Sequence, residues 1–177
     1  MYKLVLNEEI YEELVQQRIP LTRHFIWIVT ADIKDMYVQV NSTYAPFLEV
    51  LADLVSRGVA VRLIHAKEPG PRFREEFDQY DQLVDNELFE RVLCPRVHTK
   101  AVIIDNELAF AGSPNLTGAG MGSKHKDKRN FEAGFLFDDA EEIAKLVTWV
   151  DRLYLGEYCR TCKRREYCPD PIDEYYS

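Results

Sequence analysis

The sequence predicts an α/β fold: a single domain whose central mixed sheet is parallel in its first part, antiparallel in its second part, and flanked by helices. Two apolar runs of strand length, residues 24–30 and 59–65, are separated by an amphipathic helix, which is typical of a parallel βαβ unit. Residues 98–115 then predict two strands joined by a tight turn, which begin the antiparallel part. With 177 residues and 46% apolar content, the chain can build one sizeable core.

The first half of the chain supplies helices around the two buried strands. Asn7, followed by two glutamates, predicts the start of a helix that ends at Pro20. Residues 36–43 show no clear period, and we interpret them as a long loop. Apolar residues at helical spacing predict a second helix over residues 44–57, with Gly58 as its C-cap.

The second half of the sequence predicts two further helices and two further strands around the hairpin. After a Pro-Gly-Pro break, residues 72–83 predict a helix with a charged outer face. Residues 89–96 predict a strand that leads directly into the hairpin, and residues 130–137 predict the last strand. The two aspartates that follow are expected to cap a helix over residues 140–155.

The hairpin at residues 98–115 carries the most reactive side chains. His98 and Lys100 lie two residues apart, so an extended chain places them on one face. Ser113 and Asn115 end the return strand, opposite the start of the first strand. Imidazole can attack phosphorus or move a proton near neutral pH, and an ammonium group neutralises phosphoryl oxygens. The group therefore indicates phosphodiester chemistry, against the plainer interpretation of an incidental His and Lys.

The spacing of these residues resembles the HKD motif of the phospholipase D superfamily, and every spacing in that motif is matched. The matched pattern is His98-x-Lys100, four residues, Asp105, six residues, Gly112-Ser113-x-Asn115. The family also carries an acidic residue on the next strand, where Glu132 fits. The resemblance covers residues 20–155, is specific over residues 96–137, and implies the same mixed-sheet architecture. Asp105 lies at the far end of its strand, so we assign it a supporting role.

The resemblance implies a role for each remaining motif residue. His98 would attack phosphorus and form a phosphohistidine. Lys100 and Asn115 would hold the phosphoryl oxygens, with assistance from Ser113. Glu132 would accept a hydrogen bond from His98 and fix its tautomer and orientation. No divalent metal is expected to take part in this chemistry, because Lys100 supplies the positive charge.

The mechanism also needs a second histidine, which protonates the leaving oxygen and later activates water. This chain has a single motif, and its other three histidines, His24, His65 and His125, lack the motif's surroundings. We interpret His65 as structural. The family's single-motif members pair two identical motifs across a two-fold axis, so the resemblance implies a homodimer that shares one composite site.

The cysteines predict a second kind of site. Residues 1–156 form the predicted catalytic domain, and residues 157–177 form a cysteine-rich tail with Cys159, Cys162 and Cys168. Cys94 lies four residues before His98. Clustered thiols in a cytoplasmic chain favour metal binding, and four thiolates fit a structural zinc ion or a [4Fe–4S] cluster equally. The spacing resembles the cluster ligands of certain iron–sulfur nucleases. Two disulfides, or free thiols, remain the alternatives.

The charge and hydropathy of the sequence indicate whether the chain contacts nucleic acid or a membrane. The net charge of −8 argues against a simple basic nucleic-acid coat. A Gly-rich loop after the motif nevertheless holds four basic residues against one acidic residue, and we interpret it as gripping a phosphate backbone, with a solvated loop as the alternative. These basic residues are Lys124, Lys126, Lys128 and Arg129. No stretch approaches the ~20 apolar residues of a membrane span, and the first residues do not resemble a signal peptide, so we expect a cytoplasmic protein without membrane contact.

Three functions are compatible with these features. A nuclease acting on DNA or RNA is the leading hypothesis, because of the single motif and the basic loop. A phospholipase D-type lipid phosphodiesterase would need an exposed apolar rim near the site, and the adjacent loop is polar. A non-catalytic, metal-stapled nucleic-acid-binding module would have no need of the full motif. The sequence leaves open DNA versus RNA versus lipid, and endo- versus exonucleolytic cleavage.

Overall fold

The computed structural model describes residues 1–40 and 42–172. The strands are β1 (Tyr2–Leu6), β2 (Phe25–Thr30), β3 (Tyr37–Val40), β4 (Thr43–Pro46), β5 (Ala60–His65), β6 (Phe89–Leu93), β7 (Lys100–Ile104), β8 (Leu108–Gly112) and β9 (Ala133–Phe137). The helices are α1 (Glu8–Ile10), which a π-helical stretch (Tyr11–Gln16) continues, α2 (Phe47–Ser56), α3 (Pro71–Phe77), α4 (Asp81–Val84) and α5 (Ala140–Tyr154). Short 3₁₀ turns lie at Ile19–Leu21, Lys126–Lys128 and Arg165–Tyr167.

A seven-stranded sheet forms the centre of the molecule, in the order β1-β9-β8-β7-β2-β5-β6. β2, β5 and β6 are parallel neighbours, and the other pairs in this sheet are antiparallel. At its centre, Ile28 of β2 lies opposite Leu63 of β5 and Val102 of β7. The predicted mixed sheet, parallel first and antiparallel afterwards, is therefore confirmed.

Helices cover both faces of the sheet. The N-terminal helix and α2 lie on one face, where Leu14 and Phe110 are fully buried. α5 lies on the other face, and its Ile143 belongs to the core there. Alternation along β7 sends Val102 to the first face and Ile103 to the second. Because both faces are covered, β2 and β7 are apolar along most of their length rather than alternating.

Two predicted helix ends have different outcomes. Asp139 caps α5 as expected, since its carboxylate accepts hydrogen bonds from the backbone N–H groups of Glu141 and Glu142. Asn7, in contrast, makes no side-chain cap and has a φ of 49°. Its backbone N–H and side-chain oxygen instead bond to the backbone of Glu132, beside β9. The chain before Asn7 forms the edge strand β1, which the sequence analysis did not predict.

The loop predicted over residues 36–43 is wrong, because β3 and β4 form a hairpin there. The following helix starts at Phe47 rather than at residue 44 for the same reason. Tertiary contacts support the hairpin: Val38 is fully buried, and the backbone N–H of Gln39 donates to the Tyr11 hydroxyl at 2.8 Å. These partners are distant in sequence, so local periodicity could not indicate them.

The region before the motif also differs from the prediction. The helix expected over residues 72–83 is two short helices, α3 and α4, separated by Tyr80 in an extended conformation. β6 does not lead directly into the hairpin in space, because β2 and β5 lie between β6 and β7. Residues 94–99 therefore return across the end of the sheet.

None of the helices in the described part of the chain has the length and apolar content required to cross a bilayer.

Candidate active site

The candidate site lies at one end of the sheet, where β2, β5 and β6 finish and where β7 and β9 begin; we call this the site end. Lys100 is the first residue of β7 and only 8% exposed, whereas His98 is exposed in the loop before it. The Lys100 Nζ and His98 Nδ1 atoms are 3.4 Å apart. A mostly buried cation therefore lies directly beside an accessible imidazole.

Two glycines allow the strands to approach closely at this point. Gly112 pairs with Lys100 across β7 and β8, and Gly134 pairs with Gly112 across β8 and β9. A Cβ atom on Gly112 would meet the Phe110 ring at 2.8 Å and the Ala133 carbonyl oxygen at 2.7 Å. A Cβ atom on Gly134 would meet the same ring at 2.4 Å. The Phe110 ring fills the space that both glycines leave, which explains glycine at the motif position 112.

Ser113 and Glu132 are joined at the site end. The Ser113 hydroxyl donates to one Glu132 carboxylate oxygen, and the Asn130 amide donates to the other at 3.0 Å. The backbone N–H of Ala133 donates to the Ser113 hydroxyl at 3.1 Å. Glu132 is therefore oriented by Ser113 and Asn130. Among the described residues, no hydrogen bond joins Glu132 to His98, the partner that the resemblance implied. Glu132 accepts a hydrogen bond from Ser113 instead.

Asn115 is held by the end of β2. Its side-chain oxygen accepts a hydrogen bond from the backbone N–H of Asp32 at 3.1 Å. The next residue is also anchored, because the Leu116 N–H donates to the buried Thr30 hydroxyl at 3.0 Å and its carbonyl accepts from the Lys34 N–H at 2.9 Å. The Asn115 oxygen is thus used within the fold, and its NH₂ group is the part that can donate to a ligand.

Asp105 lies at the opposite end of β7 from His98 and Lys100. Five strand residues separate the two ends, a span of about 17 Å. The Asp105 carboxylate accepts hydrogen bonds from the backbone N–H groups of Arg23, His24 and Phe25. Burial raises the pKa of this carboxyl, but the three backbone hydrogen bonds outweigh burial, so its pKa lies below the ordinary value. Asp105 therefore ties β7 to the start of β2 and does not reach the chemistry.

The other histidines lie in different surroundings. His65 ends β5 and is fully buried; its Nδ1 lies 2.8 Å from the Lys67 carbonyl oxygen, and its Nε2 accepts from Arg91 Nε at 2.8 Å. Burial and the nearby Arg91 charge lower the pKa of His65 to about 4. This agrees with a structural role. His24 is exposed beside Asp105 at the far end of the sheet.

The basic loop connects two parts of the site, since it begins after Asn115 and ends before Glu132. Its side chains Lys124, Lys126 and Lys128 are exposed. Arg129 differs from them, because its guanidinium donates to the Lys124 carbonyl and lies 3.6 Å from a Glu8 carboxylate oxygen. Three of the four predicted substrate contacts are thus available to solvent, and Arg129 chiefly holds the loop.

The structure brings the four cysteines together. Cys94, Cys159, Cys162 and Cys168 line one small pocket of about 30 Å³ between the loop after β6 and the segment after α5. All four are free thiols. Within residues 1–40 and 42–172, no three His, Cys, Asp or Glu side chains already stand in a metal-binding arrangement. The thiols are therefore neighbours without a preformed coordination sphere.

Two positioning residues escaped the sequence analysis. Asp32 and Thr30 orient Asn115 and the residue after it, and both lie at the end of β2. The contact from Asp32 uses its backbone N–H, so the residue type at position 32 could not have indicated it. Thr30 carries no sequence signal either, since its hydroxyl finds its partner 86 residues further along the chain.

The family model described as cardiolipin synthase, PLD-like domain, matches residues 15–154, which is most of the chain. The chain belongs to the phospholipase D-like family. The resemblance noted in the sequence is therefore confirmed, and the mixed seven-stranded sheet is that of a phospholipase D-like fold. No curated protein matches the chain in sequence.

Solved structures with the same fold include the proteins NucT and Nuc. NucT from Helicobacter pylori has a TM-score of 0.62 and 16% identity, with 86% of this chain and 95% of that one covered. The phospholipase D family member Nuc from Salmonella typhimurium has a TM-score of 0.61 and 18% identity, with 86% and 93% covered. The archaeal chromatin protein TrmBL2, described with a novel mode of DNA binding, has a TM-score of 0.57 and 15% identity, with 86% and 51% covered. At these identities, the likeness concerns the fold.

Proposed function

We propose that this phospholipase D-like protein is a nuclease, which hydrolyses phosphodiester bonds of DNA or RNA at a site shared by two copies of the chain. The observation that carries the proposal is the exposed His98 imidazole beside the mostly buried Lys100 ammonium, 3.4 Å away. The names of NucT and Nuc, which share the fold, support a nucleic-acid substrate. A cytoplasmic location is part of the same proposal.

The reaction proceeds by two displacements at phosphorus. In the first, a ring nitrogen of His98 forms a bond to phosphorus, the bond to the leaving oxygen breaks, and a second histidine gives that oxygen a proton. In the second, the same histidine removes a proton from water, the water oxygen attacks phosphorus, and the nitrogen–phosphorus bond breaks. His98 and the second histidine then return to their starting states.

Lys100 and the motif donors stabilise the charge that develops on the phosphoryl oxygens. Because Lys100 is shielded from water, its ammonium acts at lower effective dielectric than a surface lysine. Asn115 can donate through its NH₂ group, since its oxygen already accepts from Asp32. Ser113, held by Glu132, can add a further contact. No divalent ion is required by this arrangement.

The second histidine is His98 of another copy. An exposed apolar strip lies beside the site on the face that α5 covers only in part. It consists of Leu4, Leu6, Phe131 and Phe135. Phe131 is 96% exposed and directly precedes Glu132, while Leu4 and Phe135 are cross-strand partners. A second chain seated on this strip would bury it and bring a second motif to the site end.

A lipid phosphodiesterase is the second candidate, because the same strip provides the apolar rim that docking to a lipid surface requires. The polar basic loop on the other side of the site favours nucleic acid. The two candidates differ in what covers the strip. In the nuclease it is a second copy of the chain, and in the lipid enzyme it is the membrane surface.

A substrate panel tests the proposal. Purified protein is incubated with single-stranded DNA, duplex DNA, RNA and phosphatidylcholine vesicles in excess EDTA, while circular dichroism confirms that it stays folded. We expect cleavage of nucleic acid, a loss of at least ~10³-fold in His98→Asn, and no change in His24→Gln, whose exposed side chain lies at the far end of the sheet. Cleavage of the lipid alone supports the second candidate. Activity that Mg²⁺ alone restores contradicts the metal-free mechanism, and a folded protein inactive on every substrate contradicts both candidates.

A further inference from the structure

The four cysteines meet although they come from two distant parts of the chain. Cys94 lies directly after β6, and the other three follow α5. Cys168 Sγ lies 3.9 Å from the Leu93 carbonyl oxygen, next to Cys94. All four cysteine side chains line the same small pocket. The side chains are therefore close enough to interact as one group.

Tight turns fix the backbone at these cysteines. The Val97 N–H donates to the Cys94 carbonyl at 2.9 Å, the Cys162 N–H donates to the Cys159 carbonyl at 3.1 Å, and the Arg165 N–H donates to the Cys162 carbonyl at 3.3 Å.

The charges around the pocket fit a negative centre. Four thiolates and one Zn²⁺ ion carry a net charge of −2. The guanidinium-bearing residues Arg96, Arg164 and Arg165 line the same pocket, and Asp170 is the acidic residue among its lining residues. In a protein with a net charge of −8, this concentration of arginines at a thiol cluster is a local reversal. It offsets the cost of gathering four thiolates in one place.

The segment after α5 needs an added restraint. Between residues 157 and 172 its only regular element is the three-residue turn Arg165–Tyr167. Scattered polar contacts join it to the core. The Leu93 N–H donates to Asp170 at 3.1 Å, Arg164 donates to the Pro95 carbonyl at 3.3 Å, the Cys168 thiol lies 3.9 Å from the Leu93 carbonyl oxygen, and Glu157 pairs with Arg152 at 3.0 Å. Such a segment buries little apolar surface, and metal ligation is a common way to hold one in place.

We propose that Cys94, Cys159, Cys162 and Cys168 bind one structural zinc ion. Four thiolates complete the tetrahedral coordination that a structural zinc ion takes, and all four thiols line this one pocket. The four thiols move together on binding and release their protons to solvent. The ion fastens the C-terminal segment to the loop that carries His98. The proposal is independent of the substrate.

Metal content tests the proposal directly. Protein purified anaerobically without added metal is analysed for zinc and iron, and we expect one zinc and no iron per chain. Replacement of zinc by Co²⁺ should give the intense visible and sulfur-to-cobalt charge-transfer bands of a tetrahedral thiolate site. Cys94→Ser and Cys168→Ser should each lose the zinc. Thr161→Ser is the matched control, because this exposed residue lies between two proposed ligands, and it should keep the zinc.

Stability provides a second measurement. A zinc chelator should lower the Tm of the wild-type protein and of Thr161→Ser, but not the Tm of Cys94→Ser. If the serine variants fail to fold, the Co²⁺ spectrum of the wild-type protein decides. Metal-free protein with four titratable thiols would overturn the proposal, as would two disulfides found by mass spectrometry. A brown protein containing iron would overturn the assignment to zinc.

Discussion

At the scale of single residues, backbone groups from distant strands hold the polar side chains of this fold. Asp105 accepts three backbone N–H groups at one end of β7, and Asn115 accepts one at the other end. His65 is held between a carbonyl oxygen and Arg91. These hydrogen bonds hold each of the three side chains in one orientation. Of these three residues, only Asn115 keeps a group available to a ligand.

The buried histidine predicts how stability depends on pH. The unfolded chain protonates His65 near pH 6.5, whereas the folded protein protonates it only near pH 4, because burial and Arg91 disfavour the charged form. The contribution of His65 is therefore fully present above pH 6.5 and is lost as the pH falls toward 4. The full shift corresponds to about 3 kcal/mol of unfolding free energy.

Urea unfolding between pH 7.5 and 4 measures this effect. In His65→Gln, the amide can keep both hydrogen bonds but cannot titrate, so the decline in stability between pH 6.5 and 4 should be smaller than in the wild-type protein. His125→Gln serves as control, because that side chain is exposed and should leave the pH profile unchanged. Equal slopes for the wild-type protein and His65→Gln would show that His65 is not the titrating group.

At the scale of elements, the antiparallel strands β7, β8 and β9 align the motif, and the loop between β8 and β9 carries the exposed lysines. The glycine pair Gly112 and Gly134 over the Phe110 ring holds the three strands in register. At the end of the basic loop, Asn130 donates a hydrogen bond to Glu132, and Glu132 accepts another from the motif residue Ser113. Nucleic acid held by the loop would therefore lie directly against the motif.

The loop should account for part of the salt dependence of nucleic-acid binding. Replacing Lys124, Lys126 and Lys128 together by Ala should weaken binding and reduce the slope of log affinity against log salt by about 2 to 3, as each lost phosphate contact removes about 0.7 to 0.9. Lys145→Ala, on the exposed side of α5, is the matched control and should leave the slope unchanged. Fluorescence anisotropy at several salt concentrations measures the slope for each variant. If the slope stays the same in the triple variant, the loop is solvated surface and does not contact the phosphate backbone.

At the scale of the whole molecule, a single chain supplies only one of the two histidines that the proposed mechanism requires. The described chain places its other histidines in a buried structural position, at the far end of the sheet and in the basic loop. The exposed strip beside Glu132 offers the surface on which a second copy would complete the site. The proposed dimer would therefore have one active site, built from two copies of His98.

Subunit mixing tests this shared site. Wild-type and His98→Asn subunits are mixed in equal amounts and allowed to exchange, which leaves about a quarter of the dimers with two intact histidines. Activity should therefore fall to roughly a quarter of the wild-type value. Differently tagged subunits verify exchange. Residual activity near one half, with exchange complete, would indicate independent sites and would contradict the composite site.

The sequence by itself determined the mixed sheet, the order of its central strands along the chain, and the identity of the motif residues. These follow from local periodicity and from spacings within residues 98–115, which need no knowledge of distant contacts. The tertiary structure alone decided that β3 and β4 pair with each other, that Tyr2–Leu6 is an edge strand, and that Glu132 binds Ser113. It also decided that Cys94 meets the three cysteines after α5. Each of these depends on partners many residues away, and such partners are selected by packing and hydrogen bonding in the folded chain rather than by local preference.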